Sequence, residues 1–286
     1  DGQGRVEVGT AYEAEISLKR KRLAEHPDYY YRALPGTEDA QWEVLGLLLH
    51  DLHRLDDDRF FLQKSGNCWH WQNGLLNEET ELVFGKPETL PLAALDWVGR
   101  QVQEDLLLLA GTPPVLVAGQ LCFANDWSLE EKIGLPFAAI HAPVGDSVAP
   151  MLRAAGTFVE RLPAHRPVWR LNWSFKHSDE LDQTTRHAPR LKAELAALAP
   201  TLTPDTVGER LFVRVERQTL TRLPQSGAVL FTVRTHQNRL AAVAADPDRA
   251  ARMLAVLRGT PPGLLDYKSI TPFLAPLLRF LEEESR

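Results

Sequence analysis

The sequence has little cysteine and no long apolar run. Its two cysteines, Cys68 and Cys122, form no Cys-x-x-Cys pair, which argues against a disulfide framework or a cysteine-rich metal site. The longest purely aliphatic run, Leu106 to Ala110, is far too short to cross a bilayer. The N-terminal residues also lack the basic segment followed by an apolar stretch that is typical of a secretory signal peptide. We therefore expect a cytoplasmic protein that has no membrane partner.

Basic blocks and the common catalytic signatures are missing too. The formal net charge of −6 is spread over both halves of the chain, so nucleic acid is not an expected partner. The nucleophile elbow Gly-x-Ser-x-Gly, the Walker pattern, the dinucleotide glycine fingerprint and His-Glu-x-x-His do not occur. Cys68-Trp-His70 lacks the second cysteine of a c-type haem attachment site. What remains is a globular composition with 44% hydrophobic residues, ample for a core.

Hydrophobic periodicity predicts an α+β fold. Helices are predicted at 11–25, 37–55, 90–110, 128–140, 148–162, 190–198, 246–259 and 270–284, and strands at 80–84, 115–123, 168–176, 211–218 and 228–235. Residues 59–85 otherwise look irregular, with Asn73-Gly74 as a turn. This order is that of a PAS-like domain, a mostly antiparallel sheet of about five strands with short helices, wrapped by N- and C-terminal helices.

The same order predicts three segments of one compact unit. Residues 1–110 are predicted to be a mainly helical region that packs on the core. Residues 111–240 are predicted to be a PAS-like, ligand-binding core, and residues 241–286 to be C-terminal helices.

Two histidines are candidates for an iron or zinc ligand. His141 ends the apolar segment Ala138-Ala-Ile-His141 and precedes a proline-directed turn, a setting that suits a neutral imidazole ligand or a core histidine bonded to the backbone. His187 lies in a predicted loop. His50 and His53 have a spacing that can share a metal, but no further ligand is near them in sequence. His177 lies among charged and turn residues and is expected to be solvated.

The later predicted strands carry charged and aromatic residues that are candidates for a site. In the strand at 168–176, alternation places Trp169 and Trp173 on one face and Arg170 and Asn172 on the other. The indole rings suit either a cofactor or the core. Glu216, Arg217, Arg222 and Arg234 lie in or beside the predicted hairpin. The arginines there suit either carboxylates of a ligand or internal ion pairs.

Five separated blocks resemble the haem-dependent oxidative N-demethylase family over nearly the whole chain. They are Tyr12-Glu-Ala-Glu-Ile-Ser-Leu-Lys-Arg-Lys-Arg22 with Leu34-Pro-Gly36, Trp127-Ser-Leu-Glu-Glu-Lys-Ile-Gly134, Ile140-His-Ala-Pro-Val144, Arg170-Leu-Asn-Trp-Ser174, and Glu216-Arg-Gln-Thr-Leu with Arg222-Leu-Pro-Gln-Ser-Gly227 and Phe231-Thr-Val-Arg-Thr235. The family often has proline and tyrosine where this chain has Gly145 and His236.

The resemblance implies a PAS-like core that holds haem b on a histidine and oxidises a small secondary amine with O2. In better-understood members dimethylamine gives methylamine and formaldehyde, with electrons from NADPH through a separate flavin and iron-sulfur reductase subunit. The residues carried over as cofactor-binding are His141 as first iron ligand, His187 as second choice, Arg170, Trp173 and Arg234, and those carried over as catalytic are Asn172, Glu216 and Arg217. The alternative is a haem-based PAS-type sensor that binds a ligand without turnover.

Overall fold

A computed structural model describes residues 4–140, 149–164 and 166–286, and the chain is α+β. The helices are α1 (Tyr12–Glu25), α2 (Pro27–Tyr30), α3 (Glu38–Leu55), α4 (Ala94–Gly99), α5 (Leu129–Lys132), α6 (Phe137–Ile140), α7 (Ala149–Glu160), α8 (Ala188–Leu198), α9 (Pro204–Arg210), α10 (Leu240–Ala244), α11 (Pro247–Gly259), α12 (Pro262–Tyr267) and α13 (Leu274–Glu284). The strands are β1 (Tyr31–Ala33), β2 (Phe60–Ser65), β3 (Cys68–Asn73), β4 (Glu78–Val83), β5 (Asp105–Ala110), β6 (Val115–Gln120), β7 (Val168–Lys176), β8 (Phe212–Arg222) and β9 (Val229–Arg239).

The strands form two sheets. Six strands have the order β1-β6-β5-β9-β8-β7, and β2, β3 and β4 form an antiparallel meander. The chain divides into two compact units: unit 1 is Asp1–Arg170 with Gln218–Arg234, and unit 2 is Leu171–Arg217 with Thr235–Arg286. Strands β7, β8 and β9 therefore contribute residues to both units. The α+β class is confirmed, whereas the PAS-like topology and the three-segment division stay predictions.

In unit 1, β5 supplies residues to two separate cores. Leu106 and Leu108 belong to the core that contains the α3 stripe, while Leu107 and Leu109 belong to a core with α5 and α7. Successive side chains of a strand point to opposite faces, so a central strand covered on both sides is apolar throughout. Every residue from Asp105 to Leu109 is buried.

Unit 2 has its own core. Its fully buried members include Val207, Leu211, Leu240, Ile270 and Leu277. The sequence signals for α11 are confirmed. The Asp246 side chain accepts hydrogen bonds from the backbone N–H groups of Asp248 and Arg249, Pro247 takes the first turn, and the helix ends at Gly259.

Helix α3 confirms the predicted leucine stripe except at its end. Trp42, Leu45, Leu48 and Leu52 are buried, as their spacing predicts. Leu55, assigned to the same face, is 51% exposed because the helix ends there and the chain turns away at Asp56.

The irregular appearance of residues 59–85 is a wrong prediction, because the segment forms the meander β2-β3-β4. Asn73, which precedes a glycine and was assigned to a turn, is fully buried at the end of β3. Its Nδ2 donates to the Tyr12 hydroxyl and to Gln101 Oε1, each at 2.8 Å. A buried amide with these partners is a tertiary feature that local sequence does not reveal.

Two predicted helices are also corrected. The helix at 90–110 is α4 followed by strand β5, since a short apolar run suits a buried strand as well as a helix. The helix from Ser128 to Ile140 is split into α5 and α6 by Gly134, whose φ of 80° lies in the left-handed region. None of the helices in the described ranges has the length and apolarity needed to cross a membrane.

Candidate functional site

Unit 2 contains a buried polar cluster on its strands, which we call the Glu216 cluster: Asn172 of β7, Arg214 and Glu216 of β8, and Gln237 of β9. Residues two apart on a strand share a face, so Arg214 and Glu216 are neighbours by the period-two rule. Arg214 is fully buried, and the Glu216 side chain is 9% exposed. The cluster therefore places a carboxylate and a guanidinium inside the fold rather than at its surface.

Glu216 is held from two sides. Asn172 Nδ2 donates to Glu216 Oε2 at 3.2 Å. Arg214 Nε lies 3.8 Å from Glu216 Oε1. Arg214 is itself anchored, because its Nη1 donates to the Leu181 carbonyl at 3.0 Å and to Gln237 Oε1 at 3.3 Å. A cation and a hydrogen-bond donor close to a buried carboxylate offset the free-energy cost of removing it from water.

Lys268 extends this cluster from the loop after α12. Its Nζ donates to Asn172 Oδ1 at 3.1 Å and to the Trp173 carbonyl at 2.6 Å. The ammonium also lies 4.8 Å from the centre of the Trp173 ring. Trp173 is half-buried and packs against the core of unit 2, whereas Trp169 is 46% exposed.

His187, the second-choice ligand, lies on a turn before α8 and is paired with a carboxylate. Its Nε2 lies 3.1 Å from Oδ2 of Asp182, whose side chain is 1% exposed. The Thr184 hydroxyl donates to the other oxygen, Oδ1, at 2.8 Å. A carboxylate that fixes one imidazole nitrogen is typical of metal-ligating histidines. The nitrogen that remains for a ligand is Nδ1.

His141, the first-choice ligand, lies outside the described residues. The chain just before it is anchored, because Lys132 Nζ of α5 donates to the carbonyl of Ile140 at 3.1 Å. The assignment of the iron to His141 stays a prediction.

Three other histidines differ from one another in setting. His177, expected to be solvated, is half-buried, with Nε2 3.6 Å from Glu194 Oε2 and a pKa that burial lowers. His53 donates from Nδ1 to the Phe60 carbonyl at 2.9 Å, which gives it a structural role. His50 is exposed on α3. Within 4–140, 149–164 and 166–286, no three histidine, cysteine or acidic side chains are placed to hold a metal ion.

The predicted arginines belong to different sets. In unit 1, Arg170 Nε donates to Gln218 Oε1 at 2.8 Å. Arg217, next to Glu216 on β8, is half-buried. Arg234 is buried in unit 1, where its Nη1 lies 2.7 Å from Glu15 Oε2 of α1. Arg234 was expected to bind either a carboxylate of a ligand or an internal acid, and the structure contains the internal ion pair. The assignment of Arg234 to cofactor binding stays a prediction.

Arg222 binds backbone carbonyls instead of carboxylates. Its Nε donates to Leu162 at 2.6 Å, and its Nη2 donates to Val159 and Glu160 at 2.7 and 2.8 Å. These carbonyls lie in the last turn of α7 and just after it, where an α-helix leaves carbonyls without an i+4 N–H donor. The guanidinium therefore caps the C-terminus of α7 and neutralises its partial negative charge.

Replacing Arg222 with methionine is expected to destabilise the end of α7. Several carbonyls lose a charged donor at once, which we expect to lower the free energy of unfolding by about 2 kcal/mol. Urea unfolding measures the loss, and amide hydrogen exchange locates it at residues 157–162. A change below about 0.5 kcal/mol, as expected for an exposed site such as Arg252→Met, would contradict the capping role.

Beside Arg234, the carboxyl of Glu104 is fully buried. Its Oε1 accepts a hydrogen bond from the backbone N–H of Glu7 at 2.8 Å, while Oε2 has no hydrogen-bond partner among the described residues. Burial raises the pKa of Glu104 to about 7 from its ordinary value of 4.5, against the opposing charge of Arg234. The protonated form therefore stabilises the fold below pH 4.5, and this contribution is lost as the pH rises through 7.

Replacing Glu104 with glutamine is expected to flatten the pH dependence of stability. In the natural chain, deprotonation of Glu104 should lower the free energy of unfolding by up to about 3 kcal/mol as the pH rises from 5 to 8. The variant stays neutral and should lack that part of the slope. Urea unfolding at both pH values, with exposed Glu13→Gln as the control, measures it. If the free energy of unfolding changed equally with pH in the natural chain and in Glu104→Gln, the raised pKa of Glu104 would be refuted.

Sequence reasoning missed three residues of the site: Arg214, Asp182 and Lys268. Arg214 had a signal, because it shares the polar face of β8 with Glu216. Asp182 had none, because it pairs with His187 and Thr184 inside an irregular loop. Lys268 had none, because its partners lie about 95 residues away in the chain. Two surface cavities of about 370 and 320 Å³ are lined by other residues of unit 1, among them Trp69, Phe84 and Trp42.

The chemistry of these side chains fits a haem. A haem needs an imidazole for its iron and cations for its propionates. His187 is an imidazole with a carboxylate behind it, and Arg217 of the same unit is a half-buried cation. The cluster around Glu216 adds a buried acid. Residues 1–278 match the family model described as "Haem-dependent oxidative N-demethylase, alpha subunit-like". With this match over nearly its whole length, the chain belongs to the haem-dependent oxidative N-demethylase alpha-subunit-like family.

Proposed function

We propose that this chain is the haem-bearing subunit of a monooxygenase that removes a methyl group from a small secondary amine such as dimethylamine. The reaction is (CH3)2NH + O2 + 2 H+ + 2 e− → CH3NH2 + HCHO + H2O, in which the methyl carbon is oxidised and O2 is reduced. The family membership supports the haem and the oxidative demethylation. The words "alpha subunit-like" in the family description agree with a chain that acts with other subunits.

The observation that carries the proposal is the buried carboxylate of Glu216. Each turnover consumes two protons, which must reach a site from which bulk water is kept away. Glu216 is the group to which we assign proton transfer, at Oε1. Asn172 Nδ2 fixes the other oxygen at 3.2 Å, and the Arg214 guanidinium lies 3.8 Å from Oε1. Arg217, the next residue on β8, is proposed to assist in the same step.

Haem b, when bound, supplies the redox chemistry with O2. We propose His141 as its iron ligand and His187 as the second choice. Trp173, Arg170 and Arg234 remain the proposed contacts for the ring and the propionates. Electrons are proposed to come from NADPH through a separate flavin and iron-sulfur subunit, as the family resemblance implies; the description "alpha subunit-like" agrees with a partner subunit.

The test combines haem reconstitution with an amine assay. With haem, a chemical reductant, O2 and dimethylamine, we expect equal amounts of formaldehyde and methylamine. If a panel of small secondary amines gave no formaldehyde while the protein bound haem and O2, the sensor alternative would replace the enzyme. His141→Ala should lose haem, whereas the exposed control His50→Ala should keep it. Unchanged haem content and ferric spectrum in His141→Ala would move the ligand to His187.

A further inference from the structure

Lys268 is held in a fixed place by the turn that follows α12. Its backbone N–H donates to the Leu264 carbonyl at 3.0 Å. The next residue, Ser269, has a φ of 57°, in the left-handed region that reverses the chain. Ile270, fully buried, then donates from its N–H to Leu265 at 2.9 Å. Because hydrogen bonds fix the backbone before and after Ser269, the Cα of Lys268 has a defined position.

The ammonium of Lys268 decides which way the Asn172 amide points. An ammonium can only donate hydrogen bonds, so the Asn172 atom 3.1 Å from Lys268 Nζ must be the oxygen, Oδ1. The amide nitrogen then faces the other way, and Nδ2 donates to Glu216 Oε2 at 3.2 Å. Without a donor at position 268, the amide is free to rotate and present its oxygen to the carboxylate, which would repel it.

We propose that Lys268 is a positioning residue for proton transfer, acting on Glu216 through Asn172. This inference rests on the proposed function of Glu216. It assigns a role in the site to the loop between α12 and α13, which lies about fifty residues after Glu216 in the chain. Trp173 supports the arrangement, because its carbonyl accepts from the same ammonium at 2.6 Å and its ring lies 4.8 Å away.

The first test is spectroscopic and independent of turnover. Selective 15N labelling of the six asparagines gives six side-chain amide signals, of which the Asn172 signal is identified by its loss in Asn172→Ser. In Lys268→Met this signal should shift and its protons should exchange faster with water. It should stay in place in the control Arg258→Met, which removes an exposed ion pair with Glu282. An Asn172 signal unaffected by Lys268→Met would overturn the proposal.

The second test uses formaldehyde release by the haem-loaded protein with dimethylamine. Lys268→Met should lower kcat about tenfold and leave KM unchanged, because the loss concerns proton transfer and not amine binding. Lys268→Arg, which keeps a donor-only cation, should lie closer to the natural chain than Lys268→Met does. Unchanged kcat in Lys268→Met would overturn the positioning role. If the natural chain turned over no amine, the proposed function would be wrong. The Asn172 amide signal would then be the test of whether Lys268 orients the Asn172 side chain.

Discussion

Replacing Arg214 with methionine is expected to lower the free energy of unfolding by about 3–5 kcal/mol, the range for breaking a buried ion pair. Arg214 is fully buried, and its guanidinium faces Glu216 and donates to Gln237 and the Leu181 carbonyl. Methionine fills part of the volume but leaves the Glu216 carboxylate without its cation. Urea unfolding of the natural chain and the variant measures the difference.

A double variant separates the charge effect from the packing effect. Because Arg214→Met/Glu216→Gln has no uncompensated charge, it should recover more than half of the lost stability. The exposed control Arg258→Met should change stability by less than about 0.5 kcal/mol. A loss below about 1 kcal/mol in Arg214→Met, or no recovery in the double variant, would show that the pair does not hold the cluster together.

Replacing Glu216 with glutamine is expected to lower amine turnover by about 10²- to 10⁴-fold, the usual contribution of a group that transfers protons. Glutamine can still accept the hydrogen bond from Asn172 Nδ2, so shape and polarity are nearly retained while the transferable proton is lost. Formaldehyde release under matched haem loading measures the effect.

Glu209→Gln is the matched control for this substitution. Its side chain is 68% exposed on α9, where it pairs with Arg239, and its loss should leave turnover unchanged. Equal haem content in both variants shows that the cofactor is retained. Turnover of Glu216→Gln within about threefold of the natural chain would remove Glu216 from the catalytic role.

Sequence patterns predicted the elements whose burial follows one simple period. The α3 stripe and strand β7 were found because apolar residues repeat every third to fourth or every second position, whereas β6 was found as an apolar, β-branched run and α11 from its capping residues. Patterns failed where both faces of an element are covered, as in β5, and where a polar residue is buried by distant partners, as Asn73 is by Tyr12 and Gln101. They also failed at α5 and α6, where one glycine ended a helix.

The candidate site could be predicted only in part, because distant residues decide which partners its polar side chains have. Asn172 was singled out on the polar face of its strand and Glu216 among the charges of the hairpin, and the structure brings them within hydrogen-bonding distance. Arg234, grouped with them in sequence, is paired with Glu15 in unit 1. Arg222 caps a helix that is about sixty residues away in sequence. An arginine on a hairpin suits a carboxylate or a carbonyl equally well, so only tertiary structure decides between them.

The visible absorption spectrum of the purified chain, reconstituted with haem and titrated with dimethylamine, tests the central claim most directly. The proposed function predicts a Soret band that saturates at about one haem per chain and shifts or changes intensity as the amine binds. No Soret band after reconstitution would contradict the haem assignment. A saturating band that no small secondary amine perturbs would contradict the proposed demethylase.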